Sequence, residues 1–316
     1  MKKFLRFCFV TAVIFILLGL IIAAAATAAG GGKQLAEMIQ NGDLTINADD
    51  FEFTFEDTDK FEFDVAEPLY ELDDVEIFNE GKDVLTGDVP LMEIPSENIK
   101  ELDINLGGGE FYIRNSSDEK FYIKAEHAEK LQVYAEDEEL YLKALRSRIS
   151  KDETKVYLYI PQADYEKADV SLGAGMLIFE DTFSTDDFVA EVGAGQMIIE
   201  NITCRNLDVN VGAGEFVTES VSVSDETQLK VGAGHIEMNG TAGVSLDIKC
   251  SMGGVELNLD NSETDFNYEI ECIAGSVEIG AKEFAALSEE KRIDNQASKE
   301  MDIECSMGAV ILDFNK

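Results

Sequence analysis

The stretch NVGAGEFVTES, residues 210–220, decides how this chain is read. A Gly-Ala-Gly triplet between two short apolar runs either cradles a phosphate or turns a corner. The same triplet recurs at 173–175, 193–195 and 232–234. With looser copies included, the last glycines are Gly109, Gly175, Gly195, Gly214, Gly234, Gly253, Gly275 and Gly308. From Gly175 onward they are spaced by 20, 19, 20, 19, 22 and 33 residues. A period near 20 signals stacked repeats, each one turn of the chain.

The flanking side chains keep the same register. Five residues before the reference glycine stand Ile104, Val170, Ala190, Val209, Leu229, Ile248, Ile270 and Ile303. Three before it stand Leu106, Leu172, Val192, Val211, Val231, Cys250, Cys272 and Cys305. Apolar residues also fall two and four after it, from Phe111 and Ile113 to Val310 and Leu312, and only Thr218 departs. Steps of two within each run describe a strand with one buried face. The odd step of five across the glycine would turn one run outward in a continuous strand. The glycines are therefore expected to bend the chain, using positive φ, so that both runs face one core. The expected fold is all-β: a right-handed parallel β-solenoid with rungs of about 20 residues.

Two intervals break the period. Between Gly109 and Gly175 lie the strand-like runs FYIK (121–124), LQVYA (131–135), LYLKAL (140–145) and VYLYIP (156–161), with a turn at 136–139. This reads as an irregular N-terminal part with antiparallel pairing. Between Gly275 and Gly308, KEFAALSEEKR (282–292) reads as a helical insertion near 281–299.

Ahead of the repeats, Lys2, Lys3 and Arg6 precede a weakly polar to apolar run at 7–29. Its length suits one transmembrane helix, which needs about 20 residues, while AAATAAGGG (24–32) also offers a signal-peptide site. The expected organisation is an anchor (or signal peptide) at 1–32, an acidic spacer at 33–95, and the repeat domain at 96–316. An anchor with this positive flank places the N-terminus in the cytoplasm and the repeats outside a single-pass cell membrane.

Composition narrows the function. The chain has 64 acidic and 25 basic residues, a net charge of −39, so it would be repelled by nucleic acid. Nucleotide binding needs a Gly-rich turn that opens a helix, whereas here a strand follows each triplet. Calcium-binding β-rolls need a nine-residue period, so no cofactor is expected beyond weak Ca²⁺ attraction to the acidic surface. Cys250, Cys272 and Cys305 share one inward position and read as a core ladder of small hydrophobes, with a disulfide as the rival reading. No catalytic or metal site is expected. Glu191, Asp208, Asp247 and Glu269 flank strands as the only hint of carbohydrate chemistry, and His127 and His235 are the only histidines.

The serial GAG after alternating strands, and YIP (159–161) leading into ADVSLGAG (168–175), resemble the bacterial "putative adhesin" family of β-strand-repeat proteins. The resemblance covers residues from about 99 to 316 and is to a membrane-anchored member. It implies an extracytoplasmic repeat domain with adhesion suggested by name, and no catalytic residues. CSMGG, CIAGS and CSMGA depart from the VGAG pattern. The expected function is a non-catalytic surface module, adhesin-like or an envelope scaffold, that binds a cell-envelope polymer or surface protein. The alternatives are a sensory subunit of an envelope-stress system and a carbohydrate-active enzyme.

Overall fold

A computed structural model describes residues 78–79, 81–145, 153–284 and 289–315. The acidic run continues into β1 (Leu85–Ile94), which is followed by β2 (Glu101–Leu106), β3 (Glu110–Asn115), β4 (Phe121–Glu136), β5 (Glu139–Leu145) and β6 (Lys155–Ile160). The regular repeats are β7 (Asp164–Leu172), β8 (Met176–Val192), β9 (Gln196–Val211), β10 (Glu215–Val231), β11 (His235–Thr241), β12 (Ser245–Cys250) and β13 (Gly254–Leu259). After a single 3-10 turn come β14 (Phe266–Cys272), β15 (Ser276–Ile279), β16 (Lys282–Phe284), β17 (Glu289–Ile293), β18 (Lys299–Cys305) and β19 (Ala309–Phe314).

Each layer of the stack is a strand, a glycine corner and a second strand. The residues five and three before the corner, and two and four after it, are all buried, including Thr218. Adjacent layers pair in parallel and in register: Val192 lies beside Val211, which lies beside Val231. Identical inward positions therefore form continuous columns across layers.

The column of corner glycines gives the order of the layers. A Cβ on Gly195 would sit 2.8 Å from the carbonyl oxygen of Gly175. The same collision with the preceding glycine's carbonyl would occur, closer still, at Gly214, Gly234 and Gly253. Only Gly109 and Gly175 of the eight have positive φ, 138° and 94°. The expectation that these glycines serve mainly through positive φ is corrected: at most corners the stacked backbones leave no room for a side chain.

The expected right-handed parallel β-solenoid is also corrected. The described strands form one mixed 19-stranded sheet, in which β2, β5, β4, β6, β3, β8 and β7 close a seven-strand hydrogen-bonded ring. The ring closes because the chain turns back at Asp137 and Glu138, both with positive φ (51° and 68°), the geometry of a two-residue hairpin turn. β4 thereby runs antiparallel to both β5 and β6, and β1 runs antiparallel to β4. Chain order also departs from layer order twice. The β5–β6 layer lies outside the β2–β3 layer, and β18–β19 lies between β12–β13 and β14–β15.

Where the expected helical insertion near 281–299 falls on described residues it is corrected: 282–284 and 289–293 are strands, and 285–288 lie outside the described residues. β16 pairs antiparallel with β15, and β17 with β14. Unsatisfied backbone groups on the outermost layer outweigh the helix propensity of this run. At the other end β1 is blunted by Pro90 and by three register shifts, which discourage pairing with further strands. The segment expected to be spacer therefore ends as part of the sheet.

The expected single-pass anchor, and the cell-membrane placement derived from it, find no support. Among the described residues no helix is long and apolar enough to cross a membrane, and residues 7–29 lie outside them.

Candidate functional surface

Three features of the outer surface stand out, and the corner crest is the longest. The middle residues of successive corners are Ala174, Ala194, Ala213, Ala233, Met252, Met307 and Ala274, all exposed. Their N–H groups bond carbonyls of the layer below, as Ala194 does to Gly173 (2.8 Å) and Met307 to Ser251 (2.7 Å). The backbone is thus satisfied and the side chains stand free. No charged residue occupies the three corner positions in any of these layers. At the C-terminal end Met252, Met307 and Ile273 are 51%, 58% and 39% exposed, an apolar edge on a very acidic molecule.

The second feature is an acidic cleft of about 540 Å³ at that same end. Asp247, Asp302 and Glu269 stand in register on β12, β18 and β14 and line it, with Arg292 reaching from β17 to pair with Glu269. Burial, then the neighbouring acids, holds the Asp302 carboxyl above its usual range. Burial likewise raises Asp247, with Lys249 opposing and Glu304 reinforcing the shift. The cleft concentrates negative charge. Among the described residues no group of three or more His, Cys, Asp or Glu is placed to hold a metal ion.

The third feature is a tyrosine and cation face on the N-terminal strands. Tyr112 and Tyr157 are register partners whose rings stack at 5.0 Å, with Arg114 over both and Lys124 over Tyr157. Arg114 also pairs with Glu180, and Lys155 with Glu110 at 2.5 Å. The two rings face one another, so this row acts as a cross-strand ladder that braces the sheet.

The sequence-derived residues fall as follows. Gly109, Gly175, Gly195, Gly214, Gly234, Gly253, Gly308 and Gly275 form the corner column in that spatial order. Cys250, Cys305 and Cys272 form one inward column of buried thiols, none in a disulfide, and Cys204 is a buried thiol elsewhere. Of the four acids singled out, Asp247 and Glu269 meet across Asp302, whereas Glu191 and Asp208 lie on other layers. Neither histidine lines the cleft. His127 sits on the bend of β4 with its N–H on Asp88 (3.0 Å), and His235 flanks Gly254. Asp302 and Arg292 were not singled out in the sequence. The signal for Asp302 lay in the shared corner CSMG at 250–253 and 305–308, whose two copies are spatial neighbours.

Residues 99–290, more than half of the chain, match the family model described as Toastrack DUF4097. The chain belongs to the Toastrack DUF4097 family. Its sequence matches no curated protein. Among solved structures, similar ones include a "putative adhesin" from Parabacteroides merdae, with 11% identity and a TM-score of 0.43, covering 73% of this chain and 99% of that one. Another from Bacteroides fragilis has 14% identity and a TM-score of 0.41, covering 70% and 95%. A "putative lipid binding protein" from Parabacteroides distasonis has 12% identity and a TM-score of 0.37, covering 73% and 97%.

Proposed function

We propose that this Toastrack chain is a non-catalytic, adhesin-like binding module that holds a cell-envelope polymer or surface protein along its corner crest. The supporting observation is the crest itself. An uncharged row continues through seven stacked corners on a chain of net charge −39 and carries exposed Met252 and Met307 near one end. Repetition at the layer spacing, about 4.8 Å, suits a repeating or extended partner, because each added contact is made at high effective concentration. Weak Ca²⁺ attraction to the surrounding acids would assist an anionic partner.

The test is retention of isolated envelope polymer, and separately of surface-protein extract, on the immobilised full chain with and without Ca²⁺. The double substitution Met252→Asp, Met307→Asp is expected to reduce retention at least about tenfold, equivalent to about 1.4 kcal/mol. These exposed positions leave folding within about 0.5 kcal/mol. Equal retention by both proteins, or none by either, would remove the crest from this role. Release of soluble sugars by the native chain would overturn the non-catalytic reading.

A further inference from the structure

The position three before the corner glycine is filled by Leu106, Leu172, Val192, Val211 and Val231 in the first layers of the column, and by cysteine in the last three. Leu172, Val192, Val211, Val231, Cys250 and Cys305 each slide beneath the glycine of the next layer. The Cγ1 of Val211 lies where a Cβ on Gly234 would stand, the Sγ of Cys250 does so at Gly308, and the Sγ of Cys305 at Gly275. Valine fills the same slot, so packing alone does not call for sulfur. The cysteines are also confined to the place where the chain leaves its own order. Cys305 belongs to the late strand β18, which lies between β12, carrying Cys250, and β14, carrying Cys272.

We infer that Cys250 and Cys305 form a reversible disulfide that fastens the inserted C-terminal strand pair into the stack. The two are register partners on adjacent parallel strands. Their Cα atoms are about 4.8 Å apart in such a ladder, inside the range a disulfide spans. Stacked Cβ atoms at the same spacing lie slightly beyond the relaxed separation, so the bond forms with some strand shift and is readily reduced. Beside the Cys250 side chain the Cys305 thiol is held below its usual range, with burial opposing the shift. Cys204 is pushed up to about 12, by burial first and then by Asp187. The thiolate that reacts first is thus the central one.

The oxidant is a peroxide, small enough to reach a buried sulfur when the end layer opens. The Cys305 thiolate attacks one peroxide oxygen, the O–O bond breaks, and sulfenic acid and hydroxide result, the hydroxide becoming water with the proton that Cys305 released. The Cys250 sulfur then displaces that oxygen as a second water. Two thiols and one hydrogen peroxide become one disulfide and two waters.

The test uses the reduced full chain exposed to a slight excess of hydrogen peroxide, then peptide mapping without reduction. The expected result is a link between Cys250 and Cys305, with Cys204 still free to alkylate after unfolding. The bridge ties residues 55 apart, so the thermal midpoint is expected to rise by about 5 °C and to fall back with dithiothreitol. Cys305→Val, which restores the residue of the earlier layers, is expected to fold and lose the link, whereas Cys204→Val keeps it. A folded native chain whose Cys250 and Cys305 both remain alkylatable after peroxide would overturn the inference. So would a link that uses Cys204 or Cys272 instead.

Discussion

The middle of the stack and its C-terminal end solve the same problem with different precision. In the middle, β8, β9 and β10 each run through one layer, bend, and continue into the next, with Gly-Ala-Gly at each corner and valine in each slot. At the end, six short strands replace this continuity, chain order inverts, cysteine replaces valine, and Met252 and Met307 replace alanine on the crest. The glycine column is common to both. The comparison teaches that stacking depends on the bare corner, whereas the order in which the chain visits the layers can vary.

The largest expected effect tests that shared element. Gly234→Ala would force a Cβ into the backbone of Gly214, and a destabilisation of about 3 kcal/mol is expected from denaturant melts. Gly254→Ala, whose new atom meets only the His235 side chain at 2.9 Å, is expected to cost less than about 1 kcal/mol. Equal losses would show that the corner column is not the constraint.

A smaller effect lies inside the regular region. Thr218 and Thr227 bury hydroxyl oxygens without a hydrogen-bond partner. Each change to valine is expected to stabilise by about 1 kcal/mol, since an unpaired buried polar group is removed at nearly constant shape. A loss of stability on either change would mean the hydroxyl has a partner in solution.

The C-terminal acids should respond to pH. Asp247 and Asp302 have raised carboxyls in the folded state, mainly through burial, so the folded protein binds protons more tightly than the unfolded chain. Stability is therefore expected to rise as pH falls from neutral through their folded range, and to level off below the unfolded range. Melts at pH 7.5 and 5 check the direction. Asp302→Asn is expected to raise the midpoint at pH 7.5 and shrink the gain on acidification. The smallest effect is ionic. Because the net charge is −39, moderate salt is expected to raise the melting midpoint by screening repulsion, and a midpoint indifferent to salt would contradict this.

The sequence displayed the layer contents but not the layer order. Every inward position from Ile104 to Leu312 inferred from the glycine register is buried, because alternation and the parity change at the corner are local properties of the chain. Order is non-local. Each slot accepts Leu, Val or Cys, so the motif around Gly275 gives no sign that Gly308 will lie between it and Gly253. A related reason applies to residues 282–292: their composition favours helix, and only the open backbone of β14 and β15 makes pairing the better outcome at 282–284 and 289–293. The acidic cleft was half visible. Asp247 and Glu269 drew attention individually, but Asp302 joins them only through the inserted strand.

That insertion also sets a timetable for synthesis. Residues 266–279 leave the ribosome before the strands that will separate them from β12 and β13, so their native neighbours on the inner side do not yet exist. The final layers can assemble only when β18 and β19, to Phe314, have emerged. A nascent chain arrested near residue 298 would hold the earlier layers, yet lack both the closing strands and the acidic cleft they complete. Completion of the stack thus waits on the emergence of β18 and β19.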